Sequence, residues 1–121
     1  MKSNYFNWKK KTSLLIGRFQ PFHEGHYQLF LNGLKKSGQV MILVMDSYNI
    51  NEKNPFKFKD VKNKINQRLK EHKNQYKIMK IPVTKEVIYG RKVGYKIRKI
   101  TLPKKVQSIS ATKIRRKLKI N

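Results

Sequence analysis

The run Val40-Met41-Ile42-Leu43-Val44-Met45 constrains this chain more than any other stretch. An unbroken apolar run of strand length, with no polar alternation, reads as a strand covered on both faces, as in the interior of a parallel sheet. A similar run, Thr12-Ser13-Leu14-Leu15-Ile16-Gly17, precedes it, and residues 76–81 make a third candidate strand. Residues 25–36 lie between the first two. They place Tyr27, Phe30, Leu31 and Leu34 at spacings of three and four, one apolar face of a helix that Ser37-Gly38 should end. Residues 59–73 repeat the pattern with Val61, Ile65 and Leu69 four apart. Strand alternating with helix predicts a single Rossmann-like α/β domain. We expect a parallel sheet of about five strands with helices on both faces. The remaining strands are expected over residues 86–89 and 95–102, and a last helix over residues 110–118 with Ser110 at its cap. Residues 46–55 read as a polar loop. Residues 1–11 form a basic N-terminal extension, and residues 12–121 form the domain.

Charge decides what such a domain attracts. Lys+Arg total 30 against 6 Asp+Glu, a formal net charge of +24, which favours polyanions: nucleotides, nucleic acid or anionic surfaces. The lysines are spread along the whole sequence. That dispersion favours compositional drift over a dedicated sequence-reading groove, and leaves weak, non-specific nucleic-acid binding as the expected consequence. With no cysteine, disulfides, thiolate metal sites and cysteine nucleophiles are excluded. No apolar run reaches membrane-spanning length, and the first residues lack the apolar core of a secretory signal, so the expected location is the cytoplasm with no membrane partner.

Ligands of a parallel sheet bind beyond the carboxyl ends of its strands. The chain leaving the first strand is Gly17-Arg18-Phe19-Gln20-Pro21-Phe22-His23-Glu24-Gly25-His26. Gly17 removes a side chain where a ligand could approach. His23 and His26, three apart around Gly25, project from neighbouring positions of a helical first turn. That turn should also aim unpaired N–H groups and the positive end of its dipole at an anion. A zinc site is a poor alternative for two histidines without a third ligand nearby. Arg18 stands at the same ligand edge. Gln20, Pro21 and Phe22 are expected to shape the loop.

This string resembles the H-x-G-H motif of the nucleotidylyltransferase superfamily, in the form of archaeal-type nicotinamide mononucleotide adenylyltransferases. Ile109-Ser110-Ala111-Thr112-Lys113-Ile114-Arg115 is similar to the superfamily's I-S-x-T-x-I-R motif, and Asn54-Pro55-Phe56 to an N-P-F segment of the adenylyltransferase branch. The resemblance implies transfer of AMP or CMP from a nucleoside triphosphate to a small phosphorylated acceptor, with Mg²⁺ and release of pyrophosphate. It assigns triphosphate contacts and catalysis to His23, His26 and Arg115. Nucleotide binding falls to Gly17, Arg18, Phe19, Gly25, Ser110 and Thr112, with Gly90 and Arg91 as candidates for holding base or acceptor. It is also compatible with a homodimer.

Two departures leave the acceptor open. Only a short segment separates Tyr95 from Ser110, where fuller adenylyltransferases are longer. Gly90-Arg91-Lys92 stands where the small glycerol-phosphate cytidylyltransferases carry a Gly-Asp-Asp-Trp-like string. Adenylyl transfer is slightly favoured. Glycerol-phosphate-type cytidylyl transfer is the alternative within the class, and a non-catalytic nucleotide- or nucleic-acid-binding module the alternative outside it.

Overall fold

The computed structural model describes residues 5–47, 50–51, 54–91 and 94–102. Strand β1 (Ser13–Gly17) leads into helix α1 (Glu24–Ser37), strand β2 (Val40–Met45), helix α2 (Phe58–Arg68), a 3₁₀ turn (Lys70–His72) and strand β3 (Tyr76–Ile81). The three strands are parallel, in the order β1-β2-β3, with Ser13 opposite Val40 and Val40 opposite Tyr76. This is the predicted α/β alternation. The element bounds moved by a residue or two except at the second helix, where the 3₁₀ turn replaces its last turn.

The order explains where the core lies. Each strand adds on the same side of its predecessor, and right-handed crossovers then put both connecting helices on one face. That face carries Val40, Ile42 and Val44 of β2, packed with Phe30 of α1 and with Val61, Ile65 and Leu69 on and just beyond α2. Phe19 and Phe22, from the loop after β1, close the same cluster at its upper end. Two partnerships tie the helices together. Arg68 places its guanidinium 3.5 Å from the Tyr27 ring centre and bonds Glu24 at 3.1 Å, while the Tyr27 hydroxyl pairs with His72 Nε2 at 3.1 Å.

The expected fourth and fifth strands need correction. Residues 82–89 and 95–102 run without joining the sheet, so the described sheet has three strands. Apolar residues occur there, but Val87, Ile88 and Ile97 are exposed rather than set against a neighbouring strand. The two described helices pack on one face. Leu14, Ile16 and Met79 stand exposed on the other. The helix expected over residues 110–118 lies outside the described residues. No described helix is long and apolar enough to cross a membrane.

Candidate active site at the carboxyl edge of the sheet

The site is built at the start of α1. His23 is the N-cap residue, in extended conformation, and its Nδ1 accepts the Gly25 N–H at 3.0 Å. His26, at the third helical position, returns the favour: its Nδ1 accepts the His23 N–H at 3.1 Å. This is a capping box made from two imidazoles, where Ser/Thr with Glu/Gln is usual. The rings stack, with centroids 3.8 Å apart.

The hydrogen bonds set the chemistry. A ring whose Nδ1 accepts a backbone N–H carries its proton on Nε2 when neutral. Each histidine therefore offers one Nε2–H donor. Burial lowers the His23 pKa. Burial, and secondarily repulsion from His23, lowers that of His26 to about 3. Both rings are therefore neutral donors: burial disfavours the cation on each, and repulsion across the stack adds to this at His26. The Gly25 N–H, expected to point at a ligand, is already engaged by His23.

Glycines here answer to ring packing. A Cβ on Gly25 would lie 2.8 Å from His23 Cε1 and 3.1 Å from its Nδ1, displacing the ring that caps the helix. A Cβ on Gly17 would meet the Phe19 ring at 3.0 Å, so the ring also keeps that position small. Phe19 itself has φ of 53° and is only 2% exposed, with its ring edge-on to His26 at 4.8 Å between centroids. Expected among the nucleotide contacts, its side chain forms the wall that holds His26. A left-handed backbone at a bulky residue costs on the order of 1–3 kcal/mol and persists only where packing enforces it.

A cleft of about 340 Å³ opens beside this loop, at the carboxyl end of β2. Met45, Ile50, Phe56 and Phe58 give it apolar walls, and Asp46, Ser47, Asn54, Lys57 and Lys59 give it polar ones. Gln20 joins cleft and loop. Buried at 6% exposure, it donates from Nε2 to the Phe56 carbonyl at 3.0 Å and accepts the Phe56 N–H at Oε1 at 2.9 Å. Sequence reasoning gave Gln20 a loop-shaping role but did not see its partner, which is 36 residues away. Asp46, Ser47, Lys57 and Lys59 went unnoticed because nothing local marks them as neighbours of Gln20.

Arg18 is exposed at the end of β1. Gly90, with open space around it, and exposed Arg91 lie in the extended segment after β3. Ser110, Thr112 and Arg115 lie outside the described residues. The chain approaching them returns to the site: a Leu102 methyl is 3.9 Å from where a Cβ on Gly25 would be.

The cytidylyltransferase-like family description matches residues 14–97, a span that includes both histidines, the Gln20–Phe56 pair and the three strands except Ser13. The chain belongs to the cytidylyltransferase-like family. No curated protein matches it. Among solved structures it is similar to a bifunctional NMN adenylyltransferase/ADP ribose pyrophosphatase from Francisella tularensis, crystallised with AMP and a manganese ion. The identity is 34% and the TM-score 0.56, over 60% of this chain and 23% of that one. A second structure of the same Francisella protein matches equally, with 22% of its length covered. The chain thus spans under a quarter of that relative.

With two half-buried histidines held neutral, the protein should lose stability in acid. The folded His26 pKa lies below the unfolded value of 6.5, so the unfolded chain takes up the proton first. Stability is full above pH 6.5 and falls as pH drops towards 3, by at most about 1.4 kcal/mol per pH unit for this group. The titratable ring facing His26 is His23, whose own depressed pKa adds in the same direction. Melting temperature should therefore drop across that window in the wild type and drop less in His26→Gln. Equal slopes would remove the histidine as the cause.

Proposed function

We propose that the protein transfers a nucleoside monophosphate, AMP in preference to CMP, from a nucleoside triphosphate to a small phosphorylated acceptor. The observation that carries this reading is the histidine pair, two Nε2–H donors fixed by reciprocal capping at the carboxyl edge of a parallel sheet. Such donors suit phosphate oxygens, and being neutral they need not be desolvated as ions before a triphosphate arrives.

The reaction has a simple balance. An acceptor phosphate oxygen attacks the α-phosphorus in line, a new P–O bond forms, and the bond to the bridging oxygen of pyrophosphate breaks. The attacking group is already an anion, so no enzyme nucleophile or general base is needed. Positioning and charge stabilisation can supply the catalysis. In this reading His23 and His26 donate to triphosphate oxygens, with Arg18, Arg115, Ser110 and Thr112 completing the phosphate contacts. Gly90 and Arg91 flank the acceptor. The cleft lined by Gln20, Asp46 and Lys57 has the size and mixed polarity for the second substrate. Among the described residues no cluster of His, Asp and Glu could hold a metal ion unaided. Mg²⁺ would therefore enter as part of the substrate, bound to the triphosphate oxygens.

Adenylyl transfer is favoured by the N-P-F segment and by the likeness to the Francisella enzyme. The deciding experiment measures pyrophosphate release from ATP and CTP, each with a panel of phosphorylated acceptors and Mg²⁺. Release that requires ATP and one acceptor together is the expected result. Release with CTP alone would transfer the assignment to cytidylyl transfer. Nucleotide binding without release from any pair would make the chain a binding module.

A further inference from the structure

A basic and aromatic corner lies at the opposite edge of the sheet from the histidines. Residues 7–10 form a turn, with the Lys10 N–H bonded to the Asn7 carbonyl at 3.0 Å and the Lys9 N–H to Asn7 Oδ1 at 3.0 Å. Gln39, at 3% exposure just before β2, anchors this turn. Its Oε1 accepts the Asn7 N–H at 3.0 Å, and its Nε2 donates to the Asn7 carbonyl at 2.8 Å and to Thr12 Oγ1 at 2.6 Å. The Lys10 ammonium lies 2.5 Å from where a Cβ on Gly38 would be, at the carbonyl end of α1. The N-terminal turn and the last turn of α1 are therefore neighbours. Between them they carry Lys9, Lys10, Lys11, Lys35 and Lys36, all exposed.

Trp8 stands on that turn with 69% of its surface exposed. Phe6 meets it edge to face, ring centres 5.3 Å apart, which steadies the indole without covering it. Residues 5–12 and 33–45 contain no Asp or Glu. Glu24 and Asp46 sit at the far, carboxyl edge, and Glu71 lies in the 3₁₀ turn on the β3 side. The turn that presents Trp8 and the lysine-bearing last turn of α1 are thus brought side by side by Lys10 and Gly38.

We propose that this corner binds single-stranded nucleic acid without sequence preference, Trp8 stacking on a base while Lys9, Lys11, Lys35 and Lys36 track the phosphates. Stacking platforms within a basic surface are how single strands are held when sequence is not read. A lipid surface fits less well. Membrane adsorption needs a continuous apolar helix face to bury, and the corner is a tight turn bearing one large ring. The assignment is independent of the transferase reading, since it uses none of that site's residues.

Trp8 is the only tryptophan, so its fluorescence reports on this corner alone. Adding oligo(dT) to the full chain should quench it, with the midpoint weakening steeply as salt rises, a log–log slope of about −3 for some four phosphates neutralised. Anisotropy of a labelled oligo(dT) should show Trp8→Ala binding about ten-fold more weakly. Quadruple replacement of Lys9, Lys11, Lys35 and Lys36 by Gln should abolish binding at 150 mM salt. Replacing the exposed α2 lysines Lys62 and Lys64 by Gln should change affinity less than two-fold. Unchanged binding in Trp8→Ala, or equal losses from the α2 pair, would reduce the effect to overall charge and overturn the site. A blue shift on phosphatidylserine vesicles, with no quenching by oligo(dT), would overturn it in favour of a membrane.

Discussion

His26→Ala should lower turnover by roughly 10²–10³ while changing triphosphate affinity much less. The reason is differential: a donor aimed at a phosphate oxygen is worth most when charge develops there, in the transition state. His26 also has a structural role, because its Nδ1 caps the His23 N–H and its ring packs against Phe19 and Phe22. The alanine variant will therefore also melt earlier. His26→Gln separates the two effects, since glutamine at the third helical position can accept the same N–H. Melting should recover in that variant and turnover should not. Recovery of both would make the histidine a capping residue only. His23→Ala is expected to follow His26→Ala in turnover, and near-wild-type rates in both would dismiss the motif from catalysis.

The second large effect belongs to Gln20. Gln20→Met keeps the volume of a side chain that is 6% exposed but removes both bonds to Phe56. The Phe56 N–H and C=O then lose their partner in a half-buried setting, at about 1–3 kcal/mol for each unsatisfied group. A combined loss of about 2–6 kcal/mol is a large share of the roughly 5–15 kcal/mol that holds a domain together. The melting temperature should fall by about 10 °C or more. The chain after β2 would also lose its registration with the loop after β1, so the Michaelis constant for the acceptor should rise more than that for the triphosphate. A melting temperature within about 3 °C of wild type would show that the two loops are held by other contacts.

Both variants test features that the sequence disclosed to different degrees. The strand-helix alternation was legible because each element carries its own period. The uniform run at residues 40–45 and the threes and fours of Tyr27, Phe30, Leu31 and Leu34 survive any tertiary context. The histidine pair was legible because its members are three apart on one helical turn. Their protonation was not. Which nitrogen accepts the backbone N–H, and how far Phe19 and Phe22 shield the ring, depend on packing and not on spacing.

The extra strands failed for a related reason. Short apolar stretches at residues 86–89 and 95–102 have strand composition, yet a strand exists only where a neighbour offers it a ladder of hydrogen bonds, and among the described residues none does so. That both described helices lie on one face likewise follows from strand order. The sequence by itself determined the local elements, the polyanion-attracting charge and the motif at the start of α1, because these depend on residues close together in the chain. Only the tertiary structure decided that Gln20 grips Phe56, that the Phe19 ring lies against Gly17, and that Lys10 reaches Gly38 at the end of α1. Each of those pairings joins residues brought together by chain folding, through contacts that leave no period or spacing to read.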